Sequence, residues 1–262
     1  MATVFAIANQ KGGVGKTTTS VNLSASLAAT RRQVLLIDLD PQGNATMGCG
    51  VDKRDLPLSS FDVLMGNCGV AEAVRRLPDL GLDLLPANAD LTGAEVGLLE
   101  ELGRELRLKH ALEPVRDRYT HIIIDCPPSL NMLTVNALVA AEALIVPTQC
   151  EYYALEGISA LLDTVEKIRR ILNPALRIEG FLRTMYDPRN NLANQVSQQL
   201  VKHFGDRVYR TIIPRNVRLA EAPSHGLPAL LYDKSSAGAL AYLALAGEML
   251  RRDDAERLAA GS

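Results

Sequence analysis

Apolar positions along the 262-residue chain fall into two patterns. Short, mainly apolar runs occur at Val4–Ala8, Val34–Ile37, Leu82–Pro86, His121–Ile124, Leu144–Pro147, Ile178–Thr184 and Thr211–Ile213. They are rich in Val, Ile and Leu and do not alternate with polar residues, as expected of strands buried on both faces of a parallel sheet. Between them, apolar residues recur with a helical period at 16–29, at 95–118 (Leu98, Leu99, Leu102, Leu106, Leu112), after Pro127-Pro128-Ser129, and at 154–172, 191–203 and 237–251. Strands alternating with helices predict an α/β fold, a single doubly wound domain whose mostly parallel sheet carries helices on both faces. No internal repeat, low-complexity run or Gly/Ser linker divides it, so residues 1–262 read as one domain. Residues 42–80, rich in Gly and Asp, are the least regular part and predict loops with short helices.

Composition narrows the class. With 47% hydrophobic and 22% charged residues the chain is an ordinary globular one. Cys49, Cys68, Cys126 and Cys150 lie far apart with no CxxC pair, which argues against a disulfide scaffold, a zinc ribbon or an iron–sulfur site. The start, MATVFAIANQKGG, lacks the basic region and cleavage site of a signal peptide. The most apolar stretch, 132–148, is interrupted by Asn136 and Glu142 and is too short to span a bilayer. A soluble cytoplasmic protein is expected. The absence of Trp and an aromatic content of 4% argue against a platform that stacks single-stranded bases. The net charge of −2 hides an asymmetry: residues 167–218 carry +8 and the remainder −10. This predicts either one positive surface on an acidic body or merely solvated helix faces.

The candidate chemistry begins at the first strand. Lys11-Gly12-Gly13-Val14-Gly15-Lys16-Thr17-Thr18 leaves that strand and opens the first helix. There the glycines let backbone N–H groups curl around a phosphate, Lys16 reaches the β- and γ-phosphates, and the Thr17 hydroxyl ligates Mg²⁺. The loop departs from the usual GxxxxGK[ST] pattern, because Gln10 takes the place of the first glycine and a second lysine, Lys11, precedes the others. Asp125 ends the run HIIID and is expected to hold Mg²⁺ through a water. Asp38 and Asp40 end VLLIDLD beside the same crevice, where one carboxylate can orient the attacking water or remove its proton.

Taken together, NQKGGVGKTTT, VLLIDLDPQGNAT, IIIDCPPSL, PTQCEYYALEG, TMYDPRNNLANQV and IPRNVRLAEAPSHG resemble the ParA/Soj chromosome-partitioning ATPases over residues 4 to about 250. The loop with its extra lysine is shared more widely, with MinD, nitrogenase iron protein and arsenite-pump ATPases. The last two segments are more specific. The resemblance implies a P-loop ATPase of weak intrinsic activity that uses ATP and Mg²⁺. It also implies an ATP-dependent homodimer, non-specific binding of double-stranded DNA, and a ParB-type centromere-binding partner that stimulates hydrolysis. Such a protein is cytoplasmic and nucleoid-associated, with no membrane partner.

On residues, the resemblance makes Lys11 the lysine that crosses to the partner's phosphates and Asp40 the hydrolytic aspartate. It places Asn9 and Gln10 near the γ-phosphate, Pro214 and Arg215 at the adenine, and Arg189 and Arg218 on DNA. With the loop starting at residue 11, no N-terminal helix-turn-helix is expected. The family's HGKP and DPKS runs read His225-Gly226-Leu227-Pro228 and Asp233-Lys234-Ser235 here, which predicts a thinner basic surface.

Two other functions compete with this one. A MinD-like membrane-associated regulator of cell division needs an amphipathic C-terminal helix. In MLRRDDAERLAAGS, acids offset the arginines and only Leu258 is bulky and apolar after Leu250. A redox relative needs bridging thiolates, whereas Cys126 beside Pro127 reads as a small packed hydrophobe.

Overall fold

The computed structural model describes residues 2–260, so the outermost residues of the expected domain, Met1, Gly261 and Ser262, lie outside the described residues. Eight strands form one sheet: β1 (Thr3–Ile7), β2 (Val34–Asp38), β3 (Arg75–Leu77), β4 (Leu82–Leu85), β5 (His121–Asp125), β6 (Ala143–Gln149), β7 (Arg177–Tyr186) and β8 (Val208–Pro214). Their order is β3-β4-β2-β5-β1-β6-β7-β8, parallel except for the β3/β4 pair. The mainly apolar runs have the expected cause, since alternate residues enter opposite cores. Val4, Ala6, Leu35, Ile37, Ile122 and Ile124 face one layer, which contains helices Met132–Ala140, Ala154–Ile171 and Asn191–Phe204. Phe5, Ile7, Val34, Leu36 and Ile123 face the other, under helices Lys16–Ala29 and Ala237–Ala260.

The site is created by the strand order. β5 inserts between β1 and β2, so the chain leaves β1 and crosses over β5 to reach β2. The register sets Asp125 opposite both Ile7 and Asp38. Two strand-end carboxylates therefore lie level with the point where the glycine loop departs, which is where open α/β sheets bind ligands.

Three expectations need correction. The stretch 95–118 is not one helix. It breaks into Leu91–Gly97, short 3₁₀ turns at Leu98–Glu100 and Arg104–Leu106, helix Arg107–Leu112 and a last 3₁₀ turn at Arg116–Arg118. Gly103 turns the chain at φ +66°, and Asn136 on the neighbouring helix takes over the freed backbone groups. Its amide donates to Arg104 O (2.9 Å), and its carbonyl accepts from Leu108 N (3.1 Å). Leu99 and Leu102 consequently point into solvent. Secondly, Arg75–Leu77 inside the irregular region pairs antiparallel as an edge strand. It was missed because three residues carry too little pattern. Thirdly, the last strand and the last helix run longer than their apolar periods suggest.

Candidate functional site: a phosphate loop beside two strand-end carboxylates

Gly13 and Gly15 adopt φ of +71° and +86°, conformations open to glycine at no steric cost. A Cβ built on Gly12 or Gly13 would meet nothing within 4 Å, so the loop's outer face is an open cradle. Val14 anchors it from below, and its carbonyl accepts from the Thr184 hydroxyl at 2.8 Å, a contact across 170 residues. Thr17 and Thr18 start helix Lys16–Ala29, whose N-cap is Gly15.

The two lysines point in different directions. Lys16 is buried, and its amine reaches back across the loop to donate to Lys11 O (3.1 Å). Burial pushes its pKa below the usual lysine value, against the pull of Asp125. The Lys11 side chain leaves the loop instead and ion-pairs with Glu151 beyond β6. Asn9 fixes this branching: its carbonyl accepts from Lys11 N (3.0 Å) and its amide donates to Pro147 O (2.7 Å). Gln10 is half-buried next to it.

Asp125 is fully buried, and its two oxygens accept from Thr17 Oγ1 (2.8 Å) and Ser20 Oγ (2.7 Å). Burial, then the neighbouring Asp38 charge, push its carboxyl well above the ordinary range. This donor set suits magnesium. The Thr17 hydroxyl donates to Asp125, which leaves its oxygen lone pairs for a cation, and a dication there would relieve the crowded carboxylates. Among the described residues no three His, Cys, Asp or Glu gather into a cage of their own. Magnesium accordingly fits with few protein ligands, taking the rest from phosphate and water.

Asp38 and Asp40 separate into different roles. Asp38 is consumed by structure: Oδ2 accepts from Thr46 N (2.8 Å) and Thr46 Oγ1 (2.7 Å), and Oδ1 from Asp40 N (3.1 Å). It thereby holds helix Asn44–Gly48 against the sheet. Asp40 Oδ1 accepts from Gln42 N (2.9 Å), and its carboxylate makes fewer such contacts than that of Asp38. Cys126 is buried in the core beside Asp125, its thiol raised by burial, and packs as the small hydrophobe expected.

Ser20, Thr184 and Glu151 were missed by sequence reasoning. Ser20 stands one turn after Thr17, a spacing that could have suggested it. Thr184 reaches the loop from β7 and Glu151 from the turn after β6, and neither carries a local signal.

Pro214 ends β8 and Arg215 follows it, at the same end of the sheet as the loop, where Arg215 N donates to Tyr186 O (3.1 Å). Arg189 and Arg218 also lie at this end, but each has acidic company. Arg189 forms a two-pronged pair with Asp187, and Arg218 pairs with Glu221 and Asp233. The +8 segment does not gather on one face. Crossover helices run antiparallel to the strands. Lys167, Arg169, Arg170, Lys202 and Arg207 therefore come to the opposite end of the sheet. Arg183 is not a surface residue at all. It is buried, donating to Ser197 Oγ (3.0 Å) and to Tyr209 O (2.8 Å), and so ties β7 to β8.

Residues 2–178 match the family model described as an AAA domain. The Bacillus subtilis sporulation initiation inhibitor protein Soj is 54% identical over 249 residues, covering 95% of this chain and 98% of its own. The Caulobacter vibrioides chromosome partitioning protein ParA is 53% identical over 252 residues, 95% and 94% of the two chains. The chain belongs to the ParA/Soj family. This ParA/Soj member also superposes on the structure of a Mycobacterium smegmatis protein named cobyrinic acid a,c-diamide synthase, with bound ADP and magnesium. The TM-score is 0.85 at 42% identity, over 97% of this chain and 96% of that one.

Proposed function

We propose that this chain is an ATP-hydrolysing partitioning switch that binds ATP with magnesium, pairs with a second copy and then holds double-stranded DNA without regard to sequence. A ParB-type partner would stimulate hydrolysis and release it. The observation that carries the reading is the division of labour between the two lysines. Lys16 is folded into its own loop, whereas Lys11 is turned out to a half-exposed surface from which it can reach another molecule.

The loop amides and Lys16 bind and orient the triphosphate, Thr17 with Asp125 holds the metal, and Asp40 aligns a water on the γ-phosphate. Magnesium, when bound, neutralises charge on the β- and γ-phosphates. Lys11 from the partner copy would stabilise charge that develops on the transferring group, as an arginine finger does. Asn9 and Gln10 flank that approach, and Pro214 with Arg215 would border the base.

The synthase name of the M. smegmatis protein stays with that protein, since relatives more similar to this chain bear partitioning names. The alternative reading is a MinD-like membrane-associated regulator. No helix among the described residues is long and apolar enough to cross a membrane. Helix Ala237–Ala260 packs on the body through Leu245, Met249 and the Asp253–His121 pair. The side chains of Glu256 and Leu258 in the tail lie outside the described residues.

The test is light scattering with ATP or ADP, followed by co-sedimentation with DNA and with anionic liposomes. Dimer and DNA binding are expected with ATP alone. Lys16→Ala is expected to lose ATP binding, while Lys11→Ala keeps nucleotide on a monomer. A Lys11→Ala protein that dimerises and hydrolyses normally would overturn the reading.

A further inference from the structure

We propose that Glu151 is a positioning residue that holds Lys11 in cis and sets how readily the lysine is surrendered to a partner copy. The proposal rests on the reading of Lys11 as the lysine that acts in trans.

Three observations carry it. First, the Lys11–Glu151 pair joins residues 140 apart, and both side chains remain close to half exposed, at 40% and 47%. A pair this wet is breakable. Second, both backbones are anchored. Lys11 is held through its N–H by Asn9 and through its carbonyl by Lys16. Glu151 N donates to Gln149 O (2.8 Å), and Glu151 O accepts from Ala154 N (2.9 Å). The lysine can leave Glu151 by side-chain rotation alone, with no loop to rebuild. Third, Tyr152 and Tyr153 follow directly, 75% and 66% exposed and edge-to-face with centroids 5.0 Å apart. Exposed Tyr side chains beside the pair are of the kind enriched where chains meet, which fits a face that a second copy covers.

In the monomer, then, the lysine amine is neutralised by its own chain. Dimerisation must exchange that carboxylate for the partner's phosphates. Nucleotide with a full set of phosphate charges competes for the lysine better than one lacking the γ-phosphate, so the cis pair sharpens discrimination between ATP and ADP. A pair of this exposure shifts an equilibrium by up to about fivefold. Two are released per dimer, so removing them tightens the dimer by up to about 25-fold.

The experiment is sedimentation equilibrium of wild type and Glu151→Gln with magnesium and a non-hydrolysable ATP analogue, at low salt and at 1 M salt, with ADP affinity measured alongside. Glu151→Gln is expected to lower the dimer dissociation constant at least threefold at low salt and to leave ADP affinity unchanged. The two proteins should converge at high salt, where the Debye length falls to about 3 Å. An unchanged or weaker dimer, or a difference that survives high salt, overturns the latch while leaving the in-trans lysine standing. A wild type that fails to dimerise with the analogue overturns both.

Discussion

At the scale of single residues, neighbouring aspartates acquire different roles through their hydrogen bonds. Asp40 accepts one backbone hydrogen bond, from Gln42 N, and on the proposed function its carboxylate aligns the attacking water. Asp40→Ala should therefore slow turnover about 10²–10⁴-fold, the usual contribution of a general base, while ATP-bound dimer accumulates on DNA. Single-turnover hydrolysis with gel filtration checks this, and loss of ATP binding would instead give Asp40 a metal or structural role. Asp38 titrates differently because it is sealed in. Burial raises its carboxyl to about 6, outweighing the hydrogen bonds from Thr46 that lower it. An acid whose folded pKa lies above its unfolded value stabilises the fold below the unfolded pKa and loses that contribution as pH rises through the folded one. Asp38→Asn should lower Tm overall, because one amide edge now faces the Thr46 donors. Its Tm should nevertheless fall less than that of wild type between about pH 4 and pH 6. Thermal melts across that range decide it, and parallel curves would count against the shift.

At the scale of elements, the decisive question for each arginine is where its strand or helix leaves it. Arg183, midway along β7, donates to carbonyls of β8 from a buried position, whereas the Arg189 side chain in the turn after β7 is 89% exposed. Truncating Arg183 leaves buried acceptors without a donor, and hydrogen bonds from charged groups are worth about 1.5–3 kcal/mol each. Arg183→Ala should therefore cost roughly 3 kcal/mol, or about 6–12 °C in Tm. Arg189→Ala should stay within about 0.5 kcal/mol. Urea denaturation of both variants tests the contrast, and equal stabilities would show that the β7–β8 tie contributes nothing. The broken stretch 95–118 makes the same point for backbone. Its apolar spacing satisfied a helix template, yet Gly103 and the side chain of Asn136 offered a better solution in which Leu98, Leu108 and Leu112 still reach the core.

For the whole molecule, the consequence concerns DNA. The positive segment is divided between the two ends of the sheet, so only part of it lies at the end that carries the phosphate loop. Pairing two copies would join two weak contacts into one avid site, which makes binding depend on ATP with no base contact required. Phosphate contacts release counterions, and log K should fall with log[salt] at about −0.9 per contact. Arg189→Glu and Arg218→Glu should each weaken binding to all sequences alike and flatten that slope by about one contact, with the ATP-driven dimer intact. Titrations over a salt series with ATP and with ADP measure this. An unchanged slope, or tight binding with ADP, would remove these arginines from the DNA surface.

The sequence by itself determined whatever depends on contiguous residues. The phosphate loop was legible because strand, glycines and helix follow one another within residues 3–18. Asp38 and Asp125 were legible because a carboxylate closing an apolar run has to sit at a strand end, and the parallel sheet because those runs do not alternate. Only the tertiary structure decided which strand ends meet. β5 lies between β1 and β2, and that places Asp125 against both the loop and Asp38. It alone brought Thr184 under Val14 and Glu151 to Lys11, and sent half of a single positive segment to the far end of the molecule. The reason is that apolar periodicity records which face of an element is buried. It carries no record of which distant element does the burying, or of the end of the sheet at which a crossover helix sets down its charges.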